Sequence, residues 1–89
     1  MPACDRHEFR VEAAPCSDVL LRIIGPFAVE GAILADVRHV HTDDAAWTVL
    51  EVTGLDYQRA ELLRLRLAQV PSIREVRLRA CLAVLAAAK

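Results

Sequence analysis

The sequence predicts an α+β domain: a four-stranded antiparallel sheet carrying two helices on one face, in the order βαββαβ. Three observations point there. Several short segments alternate apolar and polar residues with a period of two, as half-buried strands do. Two longer segments repeat apolar residues at helical spacing. The chain also repeats itself: an alternating run, Asp18, a helical run and Gly31 parallel a second alternating run, Asp56, a helical run and Pro71-Ser72.

The first strand is EFRVEA, with Phe9, Val11 and Ala13 pointing one way and Arg10 and Glu12 the other. The next stretch, PCSDVLLRIIGPFAVEGAI (15–33), admits two foldings: one helix with Gly25-Pro26 inside it, or a strand, a Gly-Pro turn and a helix. An interior proline costs a helix about 3 kcal/mol. The strand alternative, however, needs a helix from Phe27 to Asp36 that runs into VRHVH with no connecting loop. The helix is therefore expected, kinked near Gly25-Pro26, with Asp18 as N-cap, Leu20, Ile23, Ile24 and Phe27 as its stripe, and Gly31 as its stop. A strand through VRHVH follows, its register over 37–42 open. A hairpin at HTDDAA leads to AAWTVLEVTG, where Thr48, Leu50 and Val52 share one side and Trp47, Val49 and Glu51 the other.

LDYQRAELLRLRLAQV reads as the second helix. Asp56 is its N-cap, Leu55 its staple, and Ala60, Leu63, Leu67 and Val70 form one face before Pro71. IREVRLRA closes the set with Val76, Leu78 and Ala80 inward. Two βαβ units joined by a hairpin make a ferredoxin-like sandwich. Residues 1–7 form an N-terminal arm, 8–80 the domain, and 81–89 an apolar tail, either a short closing helix or a frayed end.

At these residues the chain resembles ACT domains, in particular those of acetolactate synthase regulatory subunits. Val19, Leu20, Arg22, Ile23, Phe27, Gly31 and Ile33 fall in step with the family's first helix and following strand, and QVPSIREVRL with its passage into the last strand. The likeness runs from about Glu8 to Ala80. It implies a regulatory, non-catalytic module, dimerising side by side, that holds an amino-acid effector at the loop before the first helix. That loop usually ends in Asn-x-Pro-Gly, and here it reads Pro15-Cys16-Ser17-Asp18, without the Asn or the Gly. The candidate ligand-binding residues are Cys16, Ser17, Asp18 and Val19. An aspartate at the helix start is expected to fill the anion-favouring N-terminus with its own carboxylate and to welcome a cationic group instead. Its simpler role is a plain N-cap. The alternative is a degenerate ACT-like module that binds a protein partner and no small molecule.

Composition bounds the rest. In 89 residues with 55% apolar content and few aromatics, the core must be aliphatic, and part of so much apolar surface is expected against another chain. A net charge of −1 with mixed signs argues against nucleic acid, and no apolar run reaches the roughly 18 residues of a membrane span. Three cysteines without a CxxC indicate a reduced, cytoplasmic setting.

His39 and His41, two apart on one strand, could join Cys16, or Cys4 and His7, around zinc. No spacing supports that, so no metal and no cofactor is expected, and solvated histidines on the open sheet face are the simpler reading. Cys16 sits near a helix start but has no base beside it, and no acid–base pair marks an enzyme. On the open face, Arg10–Glu51 and Glu12–Arg77 are the expected cross-strand pairs. Leu21, Val29 and Leu65 point away from their helices' core stripes. They favour a homodimer.

Overall fold

A computed structural model describes residues 6–80. The expected tail 81–89 and the first five residues of the expected arm lie outside them. The elements are β1 (His7–Ala13), α1 (Val19–Val29), β2 (Ile33–His41), β3 (Ala46–Thr53), α2 (Tyr57–Ala68) and β4 (Ile73–Ala80). The strands form one sheet in the order β2-β3-β1-β4, every neighbouring pair antiparallel. Both helices cover the same face, which is the ferredoxin-like βαββαβ sandwich.

Alternation fixes the inner face. Phe9, Val11 and Ala13 of β1 and Thr48, Leu50 and Val52 of β3 are all buried, with Ile73 and Val76 of β4 beside them. From the helices, Val19, Ile23 and Phe27 meet Ala60, Leu63 and Leu67 over this layer. Phe9 and Phe27 contact edge to face, with centroids 4.9 Å apart. This T-shaped pair bolts α1 to the middle of the sheet.

Residues 15–33 do contain one helix, and Pro26 lies inside it. Proline removes only the bond to the Arg22 carbonyl, and the C-terminus compensates. Gly31, at φ +77°, lets its own N–H reach the Ala28 carbonyl (3.1 Å) while the Ala32 N–H reaches that of Phe27 (3.0 Å). Those two bonds are a Schellman closure. The buried stripe is Val19, Ile23 and Phe27, with Leu20 and Ile24 only half-buried, so the helix sits one residue rotated from expectation. Glu30 then ties α1 to α2: its carbonyl accepts from Arg59 (2.8 Å) and its carboxylate pairs with Arg59 and Arg66.

Two expectations about the sheet need correction. A bulge between Leu34 and Asp36 shifts the β2 register, so His39 lies opposite Thr48 and His41 opposite Ala46. Both histidines therefore lie on the helix side of the edge strand, not on the open face. The expected ion pairs also fail, because β1 sets Glu8, not Arg10, opposite Glu51 and sets Arg77 opposite Arg10, not Glu12. Glu51 pairs instead with Arg6 (2.9 Å), and Glu12 approaches Arg74 (3.6 Å).

Urea unfolding should show Phe27→Ala losing about 3–5 kcal/mol, the range for truncating a buried aromatic. Gly31→Ala should lose about 1–2 kcal/mol through backbone strain alone, since nothing crowds a Cβ there. A loss under about 1 kcal/mol for Phe27→Ala would remove the aromatic pair from its central role.

Candidate functional site

The loop between β1 and α1 is held from behind. The Ala14 N–H donates to the Ser72 carbonyl (2.7 Å), which pins the loop to the α2–β4 connection. Cys16 is half-buried against the core, and its carbonyl accepts from Val19 N–H at 3.3 Å. Val19 itself is buried, so only its backbone faces a ligand. Ser17 is exposed. Of the four candidates, the fold brings Ser17 and Asp18 to the surface together and turns Cys16 and Val19 inward.

Asp18 occupies the N-cap position without capping. Its side chain makes no bond to the first turn, and the carboxylate instead accepts from Arg22 Nε at 2.9 Å. The expectation that it fills the helix N-terminus is thus corrected. The Leu20 and Leu21 amides have no intrahelical acceptor, and neither a side-chain cap nor an acidic residue of the first turn meets them. Asp56 shows the contrast: in an extended conformation, it accepts from Arg59 N–H at 2.8 Å and closes α2. One sequence signal therefore covers two different aspartates.

The histidines do not assemble a metal centre. His39 Nδ1 lies 2.8 Å from the buried Thr48 hydroxyl, and the His39 and His41 rings stand 6.2 Å apart. His7 is buried in the sheet with Nε2 on the Leu55 carbonyl (3.0 Å), closed to any outside ion. Cys16 is a free thiol, Cys4 and Cys81 fall outside the described residues, and among those described no three His, Cys, Asp or Glu side chains gather around a common point.

The feature that sequence patterning underweighted is the outer side of α1. Leu21 (74% exposed), Gly25, Ala28 and Val29 (78% exposed) line it, and Arg22 is the one charged residue in the helix. Contiguous exposed apolar surface of this kind marks an interaction site. Helical-wheel placement of Gly25 and Ala28 beside Leu21 would have shown it. Beside α1 lies β2, an edge strand with one row of backbone groups unpaired within the sheet. No helix of the described residues is long and apolar enough to cross a membrane.

Residues 3–85 match the family described as ACT-like domain. No curated protein matches. Among solved structures, the ACT domain from GTP pyrophosphokinase of Chlorobium tepidum superposes with a TM-score of 0.75 at 12% identity, over 83% of this chain and 96% of that one. An ACT domain protein from Streptococcus pneumoniae gives 0.69 at 15%, over 84% and 88% of the two chains. The C-terminal domain of the MgtC protein from Mycobacterium tuberculosis gives 0.66 at 17%, over 91% and 92%. At these identities the structures speak for the fold, and the kinship reaches the ACT-like domain without reaching acetolactate synthase subunits in particular.

The two helix-start aspartates should separate in a stability measurement. Asp56→Ala is expected to cost about 1 kcal/mol as a lost cap. Asp18→Ala should cost only about 0.3–0.5 kcal/mol, the worth of an exposed i,i+4 ion pair, and that loss should fade in salt. Equal losses in low and high salt would show that Asp18 caps in solution.

Proposed function

We propose a function from one premise: the chain belongs to the ACT-like domain family. Such domains are generally regulatory and non-catalytic, and we assign this one the binding of a small zwitterion, most simply an amino acid, at the loop Cys16–Val19. The observation that carries the assignment is the uncapped N-terminus of α1 beside a surface carboxylate. The Leu20 and Leu21 amides offer a seat for a ligand carboxylate. The Asp18 carboxylate, held only by an exposed pair with Arg22, offers one for an ammonium group. The two poles stand two and three residues apart along the chain, within one turn of the same helix start.

A second copy would complete the site. The apolar outer side of α1 and the unpaired β2 edge adjoin, and burying both against a twin would place the partner's β2 across the loop. A ligand bridging the two would favour one dimer arrangement over others and so shift its population. The first-helix pattern from Val19 to Ile33 further supports the regulatory-subunit branch, and the free thiol of Cys16 a reduced, cytoplasmic setting. The missing Asn and Gly of the loop favour the second reading, a module that keeps the dimer surface and has lost the small molecule.

A thermal-shift screen against the twenty amino acids at millimolar concentration tests this. A ligand at 100 times its Kd adds about 2.7 kcal/mol, roughly 10–20 °C in a domain this small. A shift is expected for at least one amino-acid class, with Asp18→Gly altering which class shifts most. A flat screen would remove the effector and leave the interaction module.

A further inference from the structure

The side of the sheet away from the helices is organised in rows that run across the strands. One row is Arg38, Val49, Arg10 and Arg77, and the next is Val40, Trp47, Glu12 and Glu75. Between β1 and β4, Arg10 stands directly opposite Arg77 and Glu12 directly opposite Glu75. Like charges in directly opposed positions destabilise a strand pair. The side chains relieve this by turning along their strands or to a neighbour: Arg10 to Glu8 (3.1 Å), Arg77 to Glu75 (2.7 Å), and Glu12 towards Arg74 (3.6 Å). Glu75 thereby holds the Arg77 guanidinium above its ordinary pKa. Exchanging Arg77 and Glu75 would have given two attractive opposed pairs instead. Each of these four groups has an ion-pair partner in its own chain, and a double-positive row still lies directly beside a double-negative one.

Apolar surface lies in the same rows. Trp47 is 50% exposed and Val40 58%, with Val49 half-buried beside them. A shallow depression of about 270 Å³ adjoins the indole, bounded by Arg10, Glu12, Trp47, Val49, Glu75 and Arg77.

We infer that this face is an interface with a second copy of the chain, the two sheets packed face to face about a two-fold axis that crosses the strands between the two rows. Such an axis reverses strand direction in the partner and exchanges the rows. Arg10 and Arg77 then lie over the partner's Glu12 and Glu75, and Trp47 over the partner's Val49, with each indole reaching towards the facing depression. A two-fold axis along the strands would stack arginines on arginines, so the charge pattern selects the first. The arrangement is isologous, with an aromatic anchor on the inner strand β3 and the charged pairs on the neighbouring inner strand β1 and the edge strand β4. Four strands about 4.8 Å apart and eight residues long give a face of roughly 19 by 27 Å. That is near the lower bound of about 1,000 Å² total for a specific interface, so the association depends on concentration. It uses neither α1 nor the β2 edge and does not rest on the function proposed above.

Trp47 is the chain's one tryptophan, so its emission reports this face alone. Dilution series followed by sedimentation and by fluorescence should show molar mass and a blue shift rising together, both weakened by salt. The acidic variant Arg10→Glu/Arg77→Glu and the basic variant Glu12→Arg/Glu75→Arg should each lose association at least tenfold, and their 1:1 mixture should recover mass and blue shift. Val40→Lys, on an exposed edge position that leaves the probe in place, should weaken association similarly; it decides the matter if a double variant does not fold. Mass that doubles while the emission stays that of an exposed indole would overturn the inference, as would charge variants that associate like the parent.

Discussion

The rest of the structure depends on the pairing of β1 on both sides. Its register with β3 and β4 decides every inner and outer position at once, because a slip of one residue would turn Phe9, Val11 and Ala13 out to water. Phe9 then reaches across to Phe27 and fixes α1 over the centre of the sheet. The same register sets the outer rows. Once Val11 faces Thr48 and Val76 inside, Arg10 must face Arg77 outside, and no side-chain preference of the arginines can undo it. Core packing outweighs a surface repulsion here because burying several large side chains is worth far more than one exposed like-charge contact costs.

A small domain with one covered sheet face has little interior to offer. α2 buries Ala60, Leu63 and Leu67 and interleaves Arg59, Arg64 and Arg66 with the exposed Tyr57, Leu62 and Leu65 on its outer side. α1 carries far less charge. Eleven residues with a single charge, anchored by the Glu30 bridge to α2, keep apolar surface on the side away from the core. That surface cannot be an error of alternation, since Leu21, Gly25, Ala28 and Val29 cluster on one side while Val19, Ile23 and Phe27 fill the other. It is the surface on which the proposed pairing with a second copy rests.

Much of this was legible in the residues. Period-two alternation placed β1, β3 and β4; Asp56 marked the start of α2; and the repeated βαβ pattern ordered the elements. The limit was reached where a single residue changes parity. The bulge at Ala35 sends His39 and His41 to the helix side, and nothing in ILADVRHVH announces it. Asp18 illustrates a second limit. Aspartate before a helix ordinarily caps it, yet Arg22 four residues on competes for the carboxylate and takes it. Cross-strand partners were the third, because opposing residues depend on a register that hairpin length alone did not define. The first and third belong to tertiary choice between locally equivalent states, and the second to competition within a single helical turn.

The bulge also constrains how the two surfaces could act together. Pairing of two β2 edges requires a two-fold axis perpendicular to the sheet, whereas face-to-face packing requires one in the plane between sheets. Perpendicular two-folds that intersect close a four-chain ring, while axes that miss each other propagate an open assembly. The face axis passes at the level of His39, Thr48, Val11 and Val76, between the arginine and glutamate rows. The edge axis falls wherever β2 is regular enough to pair. Bulges twist an edge away from pairing, so Ala35 confines the regular edge to Asp36–His41, whose midpoint lies between Arg38 and His39. The two axes therefore meet to within about one residue. A β2 strand without the bulge would pair about its own centre at Val37, two residues from the face axis, and the same surfaces would then build a chain without end. The irregularity that hid the histidines from sequence reasoning would also bring the two proposed axes towards one level of the sheet.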